Sequence, residues 1–97
     1  MTVQKDPTPS NTTVAEHRYH ELKTWPPYLD AVLTGKKTFE IRKADRPYAV
    51  GDVLRLREWS PVSESYSGRD CFVSVTFILP GGAFGLQDGY VCMSISR

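Results

Sequence analysis

Gly35-Lys36-Lys37-Thr38-Phe39-Glu40-Ile41-Arg42-Lys43 is the densest run of chemically able side chains in the sequence. Two lysines follow a glycine, and Glu40 and Arg42 then stand two residues apart. That spacing puts side chains on one face of a strand, about 6.5–7 Å from each other. A carboxylate placed there accepts hydrogen bonds from the amide or amine edge of a ligand. The cations beside it bind phosphate, arginine by bidentate contact. Together they suit a nucleotide or a nucleic-acid end better than a purely anionic partner. A solvent-facing strand with ordinary alternating charges is the competing account of the same residues.

The surrounding charge points the same way. The chain's net charge is only +1, which argues against coating nucleic acid through charge alone. Between Arg18 and Arg57, however, nine basic residues stand against five acidic ones. Trp25, Tyr48 and Trp59 interleave with them, and bases stack well on such rings. Phe39, Phe72 and Phe77 are expected in the core, since a small domain needs its large aromatics there.

Other chemistries find less support. His17 and His20, with Glu16 and Glu21 nearby, could begin a metal site. A zinc centre needs three or four converging ligands, and no third histidine or clustered cysteine supplies them, so no metal is expected. There is no G-x-S-x-G elbow for a serine nucleophile. Gly35-Lys36-Lys37-Thr38 lacks the preceding glycine-rich stretch of a P-loop. No cofactor is implied.

The elements that must position these residues are legible from periodicity. His17–Lys23 reads as a first strand ending near Thr24. Pro26-Pro27 opens, and Gly35 closes, a helix of about ten residues, with Tyr28, Leu29, Val32 and Leu33 on one face. The pattern then alternates, Phe39 and Ile41 on one side and Thr38, Glu40 and Arg42 on the other. Val53–Trp59 is a further strand, following a turn at Val50-Gly51-Asp52. Ser60–Asp70, with Pro61, Gly68 and four serines, reads as a loop. Cys71–Leu79 and Tyr90–Ser96 complete the strands, joined by a wide Gly-rich turn from Pro80 to Leu86. The outcome is an α+β domain, a small barrel of five to six mostly antiparallel strands with one or two short helices.

Ninety-seven residues allow one domain, assigned to 16–97. Residues 1–15, rich in Pro, Ser, Asn and Thr, lack the apolar content to offset ordering entropy and are expected to form a flexible tail. No apolar run could span a bilayer or serve as a secretory signal. Cys71 and Cys92 make neither a CxxC pair nor a disulfide framework. A cytoplasmic protein with reduced thiols is expected, and the Asn11-Thr12-Thr13 sequon is then a chance match.

Gly35-x-Lys37-x-x-Glu40-x-Arg42, at a helix end and entering a strand, resembles the signature of ASCH domains, small barrels of the PUA-like superfamily. Val50-Gly51-Asp52-Val53-Leu54 extends the match. His20-Glu21-Leu22-Lys23, Leu56-Arg57-Glu58-Trp59 and Ile78-Leu79-Pro80-Gly81-Gly82 resemble a compact ASCH-like family of uncharacterised phage and bacterial proteins. The resemblance covers residues 17–96.

It implies a cleft beside the helix, lined by the motif, and RNA, a nucleotide or a modified nucleoside as partner. Glu40 would read a base edge, and Lys37, Arg42 and Arg57 would meet phosphate or polar groups. His20, Lys23 and Trp59 complete the expected binding set. Some small ASCH proteins are amidohydrolases acting on N4-acetylcytidine, and this chain is similar to them at Lys37 and Arg42. It departs from them in carrying Glu40 at the position of the catalytic threonine, and in a shortened later segment where they place a glutamate. Catalysis would then need Glu40 as general base for water and Lys37 as oxyanion donor, with Thr38 as a conceivable substitute nucleophile. A protein-interaction domain, using a sheet edge or the Gly-rich loop, is the third expectation.

Overall fold

The computed structural model describes residues 18–97. The expected 1–15 tail and His17 lie outside the described residues. Five strands and one helix follow one another as β1 (Tyr19–Thr24), α1 (Pro26–Leu33), β2 (Phe39–Lys43), β3 (Val53–Ser60), β4 (Ser65–Pro80) and β5 (Tyr90–Ser96). The strands form one mixed sheet in the order β1-β3-β4-β5-β2. β1 runs parallel to β3 and the other three pairings are antiparallel. The sheet is a half-barrel, and α1 packs on its inner side against β3 and β4.

Alternation decides which side chains reach the core. Leu22, Leu54, Leu56, Val73, Val75, Met93 and Ile95 point inward and meet Leu29 and Val32 of α1. Burying side chains of this size stabilises the fold by about 1.5–3 kcal/mol each. The helix is eight residues long, slightly shorter than expected, and its buried stripe is only Leu29 and Val32. Tyr28 is half exposed. Gly35 sits at C′ as the sequence predicts, with φ at +78°. Its N–H bonds Val32 O at 3.1 Å and the Lys36 N–H bonds Ala31 O at 2.9 Å, the paired closure of a Schellman motif.

Three expectations are corrected. Ser60–Asp70 is not a loop. β3 runs to Ser60 and β4 starts at Ser65, with Trp59 opposite Tyr66 and Ser60 opposite Ser65. A two-stranded arm standing in solvent needs backbone pairing but no apolar alternation, so composition misread it.

Phe39, Phe72 and Phe77 are not core residues, being exposed at 43%, 54% and 61%. Register explains this, because directly opposed residues share a side of the sheet. Glu40 is opposite the fully buried Met93, so Glu40 turns inward and Phe39 outward. Phe72 alternates with buried Cys71 and Val73. Between Val75 and Phe77 the register shifts, which places Phe77 opposite exposed Ser94.

The charged face of β2 is therefore the inner one, and the solvent-facing account of Glu40 fails: the residue is 3% exposed.

Candidate functional site

β1 and β2 are the two edges of the half-barrel, and a cleft of about 440 Å³ opens where they approach beside the start of α1. Its walls include Lys23 and Thr24 from the end of β1, Trp25 and Tyr28 from the helix start, and Lys37, Glu40 and Arg42 leading into and along β2. Local structure explains the convergence. The Gly35 closure turns the chain sharply, the Lys37 N–H being fixed to Ala31 O at 3.0 Å. Lys37 thus starts the run into β2, and the inward face of that strand carries Glu40 and Arg42 past the end of β1.

Glu40 organises the cations. Lys37 Nζ donates to Glu40 Oε2, and Arg42 Nε donates to Glu40 Oε1 at 2.9 Å. Lys37 Nζ also donates to Phe39 O at 2.6 Å. Arg42 Nη2 reaches Lys23 O at 2.9 Å and Thr24 Oγ1 at 3.3 Å. Beside this network Trp25 and Tyr28 are stacked, with ring centroids 6.1 Å apart and planes at 23°. Both rings are about half exposed. The arrangement offers anion-binding donors next to an aromatic platform.

Of the residues expected from sequence, Lys23, Lys37, Glu40 and Arg42 come together here. His20, Arg57 and Trp59 do not line the cleft. His20 points into the core, where its Nε2 is 2.8 Å from Asp52 Oδ2 and its ring meets Tyr48 edge-on at 4.8 Å. Asp52 also accepts the backbone N–H of Arg18 at 3.0 Å and of Ala49 at 2.9 Å. Burial alone would push the Asp52 carboxyl up; these three hydrogen bonds outweigh it and hold the carboxyl below its ordinary value. His20 thus helps pin β1 to the turn before β3. Arg57 and Trp59 lie on the outer face of the sheet, Trp59 under the Lys23 ammonium at 4.5 Å. Thr38 is exposed and is not part of the cleft wall.

Sequence reasoning missed Thr24, Tyr28 as a site residue, and Asp52. Trp25-Pro26-Pro27-Tyr28 carried a usable signal, two aromatics flanking the proline start of a helix. Among the described residues no group of three His, Cys, Asp or Glu side chains is placed to hold a metal ion. None of the described helices is long and apolar enough to cross a membrane. Cys71 and Cys92 are free thiols.

Fold and site together define a small α+β half-barrel with a cation-rich cleft at its open edge. The model of a family described as "Domain of unknown function (DUF3850)" matches residues 19–95, and the chain belongs to that family. It is also similar to an uncharacterised 12.9 kDa protein in the GpA 3′ region of Escherichia phage P2, at 44% identity over 59 residues. That alignment covers 61% of this chain and 52% of the relative, so it spans about half the relative's length.

Proposed function

We propose that the chain is a binding module for nucleic acid or nucleotides, of the ASCH-like, PUA-like kind that its Gly35–Arg42 motif resembles, with the β1–β2 cleft as its site. The observation that carries this reading is the placement of Lys37 and Arg42, both held by buried Glu40, beside the exposed Trp25–Tyr28 stack. A phosphate meets the two cations while a base lies on the aromatic platform. Glu40 already receives a donor on each oxygen, so its part in binding is to position Lys37 and Arg42. The same engagement weighs against Glu40 as general base and so against nucleoside amide hydrolysis.

The test is a thermal-shift panel of nucleosides, N4-acetylcytidine, mononucleotides and short single- and double-stranded RNA and DNA. It is run on wild type, Lys37→Ala and Arg42→Lys. A ligand at about a hundred times its dissociation constant stabilises by roughly 2.7 kcal/mol, a shift of many degrees in so small a domain. A shift with phosphorylated ligands that falls to about half or less in both variants supports the reading. A flat response to every nucleic-acid compound overturns it and favours a protein partner. Turnover of N4-acetylcytidine would revive the hydrolase alternative.

A further inference from the structure

The outer face of the sheet, opposite α1, carries an arrangement that the cleft does not use. One cross-strand row sets Lys23, Arg57 and Asp70 side by side, and the next sets Glu21, Arg55 and Phe72. Each cation covers a ring. Lys23 Nζ lies 4.5 Å from the Trp59 centroid, the Arg57 guanidinium carbon 3.9 Å from that of Tyr66, and the Arg55 carbon 5.9 Å from that of Phe72. Tyr66 and Phe72 are exposed, which leaves their ring faces open to a ligand.

The two acids of these rows are committed. Arg55 bonds Asp70 at 2.7 Å and Glu21 at 3.1 Å, and Arg57 reaches Glu21 at 3.5 Å. They hold the guanidinium groups in place, and the rows keep three cations against two acids. Along β3, Arg55, Arg57 and Trp59 recur at two-residue steps of about 6.5 Å.

Lys23 belongs to both sites. Its carbonyl takes the Arg42 hydrogen bond inside the cleft, and its ammonium covers Trp59 outside it.

We propose that a single-stranded polynucleotide leaves the cleft at Lys23 and crosses this face over Trp59, Arg57 and Tyr66 toward Arg55 and Phe72. The inference rests on the cleft reading for its starting point and narrows the ligand from a nucleotide to a strand. Rings and guanidinium planes take up unpaired bases, whose faces a duplex hides, while the ammonium and guanidinium charges meet the phosphates between them.

The experiment titrates wild type, Arg57→Gln and Tyr66→Ala with a mononucleotide and with fluorescein-labelled RNA and DNA single strands about eight nucleotides long. Wild type is expected to bind a strand at least about tenfold more tightly than the mononucleotide, each stacked base adding to affinity. Both variants should weaken strand binding about fivefold or more and leave the mononucleotide unaffected. Arg57→Gln should also lower the salt slope by about one. The RNA and DNA arms show which sugar is preferred. A strand that binds no more tightly than the mononucleotide, or binds equally to all three proteins, overturns the proposal. Strand binding that needs Arg57 and Tyr66 without any mononucleotide binding supports the outer face and overturns the cleft reading instead.

Discussion

Arg42 and Thr24 lie on the two edge strands of the sheet, which share no backbone ladder, yet Arg42 Nη2 stands 3.3 Å from Thr24 Oγ1. The same nitrogen donates to Lys23 O at 2.9 Å, while Nε is anchored on Glu40. One guanidinium therefore bridges the open side of the half-barrel. Arginine makes these contacts from two separate nitrogens of a planar fork, a span that the single nitrogen of a lysine lacks. Arg42→Lys should lower stability by about 1–2 kcal/mol and weaken mononucleotide binding about tenfold. Denaturant melts and a titration on one sample check both.

Removing the carboxylate that holds the cations is expected to be worse than removing either cation. Glu40→Ala leaves Lys37 and Arg42 without their shared partner in a largely buried place, at a cost of about 2–3 kcal/mol. Glu40→Gln preserves shape and one acceptor and should recover part of that loss. Equal melting of Glu40→Gln and wild type would show that the ion pairing contributes little.

Asp52 supplies a pH dependence whose sign follows from its lowered carboxyl. Burial opposes the charged form, but His20 and the Arg18 and Ala49 amides outweigh it. A depressed folded-state value means the stabilisation is present above the unfolded value, near 3.9, and is lost as pH falls through the folded one. Asp52→Asn should cost about 2–3 kcal/mol at neutral pH. Its deficit against wild type should shrink in acid below about pH 4, as chemical denaturation across pH would reveal.

The inside-out aromatics make a paired prediction. Leu56, fully buried, should cost about 2–5 kcal/mol when replaced by Ala. Phe77→Ser, on the exposed face, should stay within about 0.5 kcal/mol. Thermal melts that reversed this order would contradict the register of β4.

Gly81 is required for space rather than for conformation. A Cβ there would stand 2.1 Å from Gln87 O and 2.7 Å from Tyr90 O, both backbone atoms. Gly81→Ala should therefore destabilise by about 2 kcal/mol or more, read as a lowered melting midpoint.

Much of this fold was legible in the sequence. Pro26-Pro27 and Gly35 bounded the helix, and alternation located β2, β3 and β5. Four residues of the cleft, Lys23, Lys37, Glu40 and Arg42, were also found, three of them because their spacing put them on one short segment. What was not legible depended on partners distant in sequence. Nothing within Phe39–Lys43 says that β2 will pair with Met93, which turns Glu40 inward and Phe39 outward. His20 looked like a ligand group until Asp52, 32 residues on, took it into the core. Trp59 and Arg57 had the right composition for binding, but only the parallel β1–β3 pairing shows that they face away from the cleft.

The strand order also sets when the site can come into existence. The β3–β4 and β4–β5 pairings join neighbours in the chain, and the two edge pairings do not. β1 has no ladder partner until β3 is present, and β2 none until β5 is, since Phe39 pairs with Ser94. Both edge strands of the cleft are thus made early in translation and left waiting. Lys37 and Arg42 are brought to Lys23 only after the last of the five strands has docked. A ribosome-bound chain halted before Tyr90 would hold every cleft residue in its sequence and still lack the strand that β2 pairs with, so binding at the proposed site should report completed folding.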